Sequence, residues 1–346
     1  MKRLEELVRD NIYRLTPYSS ARSEFKGDAS VFVDANENPY DTLYNRYPDP
    51  LQTELKQKLS ALKGVPAGNI FLGVGSDEAI DLLYRIFCEP RRDNVVAIDP
   101  TYGMYGVCAD INEVEYRTVR LDDKFDIDID ALFAAVDDAT KIIWLCSPNN
   151  PTGNSLSVGR VKEVISRFGG IVVLDEAYID FSPTPSLLGE LHNWPNLVIL
   201  QTFSKAWGSA GVRLGMAFAD KAIIDIFNKV KYPYNINVLT QRYAVKLLDK
   251  APSVKRRVEG IIRNRGVLEK LLRKCSCIKK IYPSDANFLL VSTTGAKEIY
   301  DYLVDTGIIV RNRHGITLCD ECLRITVGTR DEIRRVAAAL AAYDKK

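Results

Sequence analysis

Histidine is scarce in this sequence: His192 and His314 are the only two in 346 residues. That scarcity supplies histidine-based triads and metal centres poorly, and both residues read as surface or packing side chains. Cysteine is present but unorganised. Its seven copies, at positions 88, 108, 146, 275, 277, 319 and 322, are odd in number and scattered. They argue against a disulfide framework and read as reduced thiols. Cys275-Ser-Cys277 and Cys319-Asp-Glu-Cys322 lack the flanking glycines of a zinc knuckle, and no metal is expected. Charge of one sign is also missing: 47 Lys and Arg face 45 Asp and Glu, a net +2. No global field is available to hold nucleic acid or a membrane surface, so any anion must be recognised locally. No apolar run approaches the roughly 18 residues of a bilayer span. Residues 1–10 lack the apolar centre of a signal peptide, and a cytoplasmic location is expected.

What is present is a core. Hydrophobic residues make up 46% of the chain, and its length suits about two domains of roughly 150 residues. Strand-length apolar runs recur at 94–98, 141–146, 170–174, 196–200 and 214–218, alternating with helical patterns. In the segment 51–62, Leu51, Leu55, Leu59 and Leu62 share one helical face; in 157–168, Val158, Val161, Val164, Ile165 and Phe168 do the same. Strands buried on both faces and joined by helices make an α/β fold with a mostly parallel, doubly wound sheet. After about residue 240 the pattern changes. Charged helices over 238–275 precede short strands predicted at 288–292, 307–311 and 323–327 and helices at 295–306 and 330–343, a smaller α+β unit. The expected division is an N-terminal arm at 1–30, a large domain at 31–240 and a small C-terminal domain at 241–346. The arm is expected to pack on the small domain or on a partner subunit.

In open α/β sheets ligands sit outside the carboxyl ends of the strands. Four such ends are chemically rich: Ser147-Pro-Asn-Asn-Pro-Thr-Gly153, Asp175-Glu-Ala-Tyr178, the loop Gln201 to Gly215 with Ser204, Lys205 and Arg213, and Gly73-Val-Gly-Ser-Asp-Glu78 opening a helix predicted over 77–88. Singly, each has an ordinary reading as a turn, a cap or a solvated lysine. Together they supply an amine, a carboxylate, an amide, aromatic hydroxyls and an anion cradle, an inventory suited to pyridoxal 5'-phosphate.

The motifs SPNNPTG, LDEAY and TFSKAWGSAGVRLG, in that order, resemble the aspartate-aminotransferase-like (fold type I) family of pyridoxal-phosphate enzymes across nearly the whole chain. Within it the chain is most similar to the histidinol-phosphate aminotransferase subfamily. The resemblance makes Lys205 the residue that bonds the cofactor's aldehyde and carries the proton, and pairs Asp175 with the pyridinium nitrogen. It implies donation from Asn150 and Tyr178 to the phenolic oxygen, and stacking by Tyr102. Ser76, Asp77, Ser204 and Arg213 would hold the phosphate. Tyr47, in Asn45-Arg-Tyr-Pro48, resembles the tyrosine that this family sends into the neighbouring subunit's phosphate site, which implies a homodimer with shared active sites.

For the substrate, the resemblance points to Asn36, in Asn36-Glu-Asn-Pro39, to Arg324 for a carboxylate, and to Tyr18, Arg22 and Arg311 around a substrate phosphate. The implied reaction is transamination between histidinol phosphate and 2-oxoglutarate, giving imidazole-acetol phosphate and glutamate. A threonine-phosphate decarboxylase-like lyase, an aromatic amino-acid aminotransferase and a cofactor-binding regulatory module stay open as alternatives at this point.

Overall fold

Alternation along the apolar runs decides which way each strand's side chains point. Ile70 and Leu72 enter one buried cluster while Phe71 enters another; Val96 and Ile98 separate in the same way from Val95 and Ala97, and Val172 and Leu174 from Ile171 and Val173. A strand with two apolar faces needs cover on both sides. The computed structural model describes residues 2–19, 21–25, 27 and 29–345, with the side chains of residues 22 and 23 excepted. In it, β1 (Ile70–Val74), β2 (Asn94–Asp99), β3 (Glu115–Arg120), β4 (Thr140–Cys146), β5 (Ile171–Asp175), β6 (Leu197–Thr202) and β7 (Leu214–Phe218) form one sheet in the order β1-β7-β6-β5-β4-β2-β3. Every pairing among β2 to β6 is parallel; β7 runs antiparallel to both of its neighbours.

Helices 53–63 and 158–167 contribute Leu55, Leu59, Val161, Val164 and Ile165 to one face. Helices 75–87, 104–111 and 221–230 contribute Ile80, Leu83, Tyr105, Ile224 and Phe227 to the other. The sheet is therefore doubly wound, as its patterning requires. Two consequences place the site. The parallel strands end along one edge, and β7, running backward, begins at that same edge, so Arg213 just before it returns beside the ends of β1 and β6.

A second sheet, in the order β10-β11-β9-β8, is antiparallel and comprises β8 (Ile278–Ile281), β9 (Phe288–Thr293), β10 (Arg311–Asn312) and β11 (Cys322–Thr326). One of its faces packs Leu289, Val291, Leu323 and Ile325 against helices 251–272, 296–305 and 330–343. The opposite face lends Phe288, Leu290 and Cys322 to the core of the first sheet.

Three differences from the sequence reading have local causes. β3 and β8 are sheet edges whose mixed residues, EYRTVR and IKKI, carry no buried alternation to reveal them. The strand predicted over 307–311 shrinks to Arg311–Asn312 because Gly307 and Ile308 donate their N–H groups back to Val304 and Leu303, closing the preceding helix. The arm's first turns pack on the large sheet rather than on the small one. Leu7 and Val8 are buried with helix 75–87, Arg9 pairs with Glu89 at 3.0 Å, and Lys229 donates to the Tyr13 carbonyl at 2.5 Å.

Candidate functional site

A cavity of about 690 Å³ opens where the parallel strands end, with the β10–β11 hairpin as its far wall. Helix 75–87 supplies one corner. Its first amides, including those of Ser76 and Asp77, have no carbonyl one turn back, and the helix dipole adds positive potential there. Two glycines allow the packing. A Cβ on Gly215 would fall 2.1 Å from the Ser76 nitrogen, and one on Gly75, at φ +72°, would fall 2.7 Å from Arg213 Nη2. Arg213 itself is left-handed, at φ 54°; its carbonyl accepts from Gly75 N–H at 3.1 Å and its Nη2 lies 3.4 Å from Asp77 Oδ2. Ser204 completes this corner, its N–H held by Thr202 Oγ1 at 3.0 Å.

Asp175 ends β5 inside the molecule. Its Oδ2 accepts from the fully buried Tyr105 hydroxyl at 2.7 Å and its Oδ1 from Ala177 N–H at 3.0 Å. Burial still dominates and raises its pKa above the usual carboxylate range, and among the described residues no cation is bonded to it. Tyr105 is stacked on Trp144 at 4.7 Å, and Tyr84 donates to the Tyr105 carbonyl at 2.7 Å, so the hydroxyl that holds Asp175 is itself held.

Lys205 projects into the open cavity, its Nζ 5.5 Å from the centre of the Tyr178 ring. Partial burial, then the charge of Arg324, lowers its pKa, with Asp175 pulling the other way. The amine is thus shifted towards its neutral, reactive form. Tyr178 is buried, which raises its own pKa and keeps the phenol a donor. Tyr102 donates to Asp77 Oδ1 at 3.1 Å and meets Tyr105 edge-on at 5.6 Å. Arg324 Nη1 donates to Asn150 Oδ1, leaving Asn150 Nδ2 as the end of that amide able to donate.

Of the residues singled out from sequence, Ser76, Asp77, Tyr102, Asn150, Asp175, Tyr178, Ser204, Lys205, Arg213, Arg311 and Arg324 line this one cavity. Four others do not. Tyr18 is 72% exposed, away from the lining, and the Arg22 side chain lies outside the described residues. Tyr47 and Asn36 line a separate groove, where Tyr47 stacks on Tyr234 at 4.4 Å and Glu37 Oε1 accepts the Tyr47 N–H at 2.6 Å. That groove adjoins the cradle, because Asn235, next to Tyr234, donates to the carboxylate of Glu78 at 3.1 Å and to the Leu72 carbonyl at 2.9 Å.

Two residues escaped the sequence reading. Tyr105 carries no motif; it is an apolar-looking helix residue until the fold brings it under Asp175. Arg313 lines the cavity beside Arg324, and its signal was visible as the spacing Arg-x-Arg, which puts Arg311 and Arg313 on one face of a strand. The seven cysteines are free and buried, and no group of three or more His, Cys, Asp or Glu among the described residues is arranged to hold a metal ion. No described helix is long and apolar enough to cross a membrane.

Residues 29–340 match the family described as aminotransferase class I and II. The chain belongs to that family. It is 59% identical to the histidinol-phosphate aminotransferase of Bacteroides thetaiotaomicron over 99% of both chains, and 51% identical to that of Cytophaga hutchinsonii over 98% of this chain and 99% of the relative. Among solved structures it is similar to the histidinol-phosphate aminotransferase of Sinorhizobium meliloti in complex with pyridoxal-5'-phosphate. That match has a TM-score of 0.80 and 27% identity, covering 87% of this chain and 83% of that one.

Proposed function

We propose that the protein transfers the amino group of histidinol phosphate to 2-oxoglutarate, a step of histidine biosynthesis, with pyridoxal 5'-phosphate as cofactor. One observation carries the reading: a depressed-pKa lysine, a buried carboxylate without a cation and a glycine-framed helix N-terminus meet in one cavity whose far wall is arginine. Identity of 59% over 99% of the chain to a histidinol-phosphate aminotransferase supports the substrate and disfavours the phosphothreonine-lyase and aromatic alternatives.

The residues fit the cofactor. A buried carboxylate whose pKa is pushed up is stabilised by a cation placed against it, and a protonated ring nitrogen is one. The space where Cβ atoms on Gly75 and Gly215 would intrude is kept for backbone and guanidinium groups that suit a phosphate. When bound, pyridoxal phosphate supplies an aldehyde for the substrate amine and an electron sink for the carbon that loses its proton.

The chain's own groups do the rest. Asp175 holds a proton on the ring nitrogen, and Tyr105 holds Asp175. Ser76, Asp77, Ser204 and Arg213 bind the cofactor phosphate, Tyr178 and Asn150 Nδ2 donate to its phenolic oxygen, and Tyr102 covers the ring. Lys205 Nζ, shifted towards neutrality by burial and by Arg324, takes the proton from the substrate carbon. Arg311 and Arg324 bind substrate anions, and Tyr18, Arg22 and Asn36 are the further residues that the family resemblance assigns to the substrate. Tyr47 reaches the phosphate site of a second subunit, making the protein a homodimer. Its 51% exposure, in one groove with exposed Tyr44 and Leu239, supports an apolar face that a partner would cover. The arm, large domain and small domain divide near residues 30 and 240, and the reduced thiols accord with a cytoplasmic enzyme.

The test is an absorbance titration of the purified holoenzyme with histidinol phosphate. Conversion of the bound cofactor to its amine form, reversed by 2-oxoglutarate, is expected; no conversion would refute the substrate.

A further inference from the structure

Three guanidinium groups share one side of the β10–β11 hairpin, and among the described residues no carboxylate pairs with them. Arg311 stands opposite Arg324 in the ladder, and Arg313, whose N–H donates to the Cys322 carbonyl at 2.9 Å, continues the same face. Like charges opposite one another on a ladder oppose pairing. Burial, followed by the charges of Arg324 and Arg311, lowers the pKa of Arg313 to about 10. Among the described residues no ion pair includes any of the three. The Nε of Arg313 is buried with no hydrogen-bond partner, whereas Arg324 has the Asn150 amide and Arg213, across the cavity, has Asp77. A buried donor left unmade costs more than a made bond returns. This wall therefore holds more positive charge, and more unmet donors, than a single carboxylate satisfies.

We propose that Arg313 is a substrate-binding residue that, with Arg311, grips the doubly charged phosphate of a phosphate monoester and so sets the preference for the ester over its free alcohol. The inference rests on the histidinol-phosphate reading and adds a residue to it. Arg311 is exposed and meets the incoming anion. Arg313 is half-buried, already stripped of part of its water, so its bond to a phosphate oxygen forms where screening is weak. The guanidinium fork matches two phosphate oxygens at once, which a lysine cannot do.

The experiment compares histidinol phosphate with histidinol in the holoenzyme, wild type against Arg313→Gln and Arg313→Lys. The ratio of kcat/KM for the ester over the alcohol is expected to fall roughly 10- to 100-fold in Arg313→Gln, with the loss mainly in KM. Arg313→Lys should recover part of it. A ratio within about twofold of wild type, or an equal loss on both substrates, overturns the proposal, because packing damage would not discriminate between them. Failure of the substrate reading looks different: wild-type holoenzyme would not turn over histidinol phosphate at all. Calorimetric binding of inorganic phosphate then decides. Weaker binding by Arg313→Gln than by wild type supports the anion site, and equal binding overturns it.

Discussion

The floor and the wall of the cavity are built by opposite means. Floor groups hang from the ends of strands buried on both faces, and three of them are tied down: Asp175 by Tyr105 and Ala177, Arg213 by its left-handed backbone and Asp77, the helix start by Gly75 and Gly215. Wall groups stand on a hairpin whose first strand is two residues long, and they are long arginines facing one another. A cofactor that stays through every turnover is best met by groups that do not move, since their ordering cost falls on folding. The two substrates proposed for this protein, a phosphate ester and a dicarboxylate, differ and are best met by reach and charge, which arginine offers to either oxyanion.

That contrast breaks first at Lys205, which rises from the floor into the open cavity with its Nζ 5.5 Å from the centre of the Tyr178 ring. Lys205→Ala is expected to fold and to hold cofactor without a covalent bond, while the single-turnover rate with histidinol phosphate falls about 10²- to 10⁴-fold or more. A rate near wild type would put the proton carrier elsewhere.

Asp175→Asn should separate function from stability. Its single-turnover rate is expected to drop about 10²-fold through loss of the fixed charge. The cofactor-free variant should nevertheless melt higher than cofactor-free wild type at neutral pH. Asp175 has a folded pKa above its unfolded one, so its charge works against the fold once pH exceeds the unfolded value. The gap in melting temperature should close as pH falls through the folded value towards the unfolded one. A gap independent of pH would mean that Asp175 is not strained by burial.

Tyr105→Phe keeps the ring stack on Trp144 and removes one bond from Asp175. About a tenfold rate loss is expected, smaller than for Asp175→Asn, with a shifted pH dependence of the bound cofactor's absorbance. An unmoved titration would make Tyr105 a packing residue. The smallest effect belongs to Tyr47→Phe, which should weaken cofactor retention by about 0.5–1.5 kcal/mol without dissolving the proposed homodimer. Mixing Lys205→Ala with the more damaging Tyr47→Asp should restore part of the activity after subunit exchange; exchange without recovery would return Tyr47 to its own subunit.

Much of the floor was legible in the sequence because buried strands announce themselves as apolar runs, and the residues that follow must turn, cap or react. SPNNPTG, LDEAY and the loop around Lys205 stand out for that reason. Arg213 is legible as a motif residue, yet its return to the cradle depends on β7 running antiparallel, which an apolar run does not reveal. The edge strands β3 and β8 are hidden by their exposure. The arm's anchor, Leu7 and Val8, is too short a pattern to say which surface it meets.

By itself the sequence determined the fold class, the order of the strand-end groups and the kinds of chemistry they bring, because hydrophobic periodicity and motif spacing are local properties of the chain. Only the tertiary structure decided that Tyr105 supports Asp175, that Arg313 joins Arg311 and Arg324 on one wall, and that Lys205 is shifted towards neutrality while Asp175 is shifted the other way. Desolvation and charge coupling depend on distances between groups remote in sequence, and those distances exist only once the two sheets have packed.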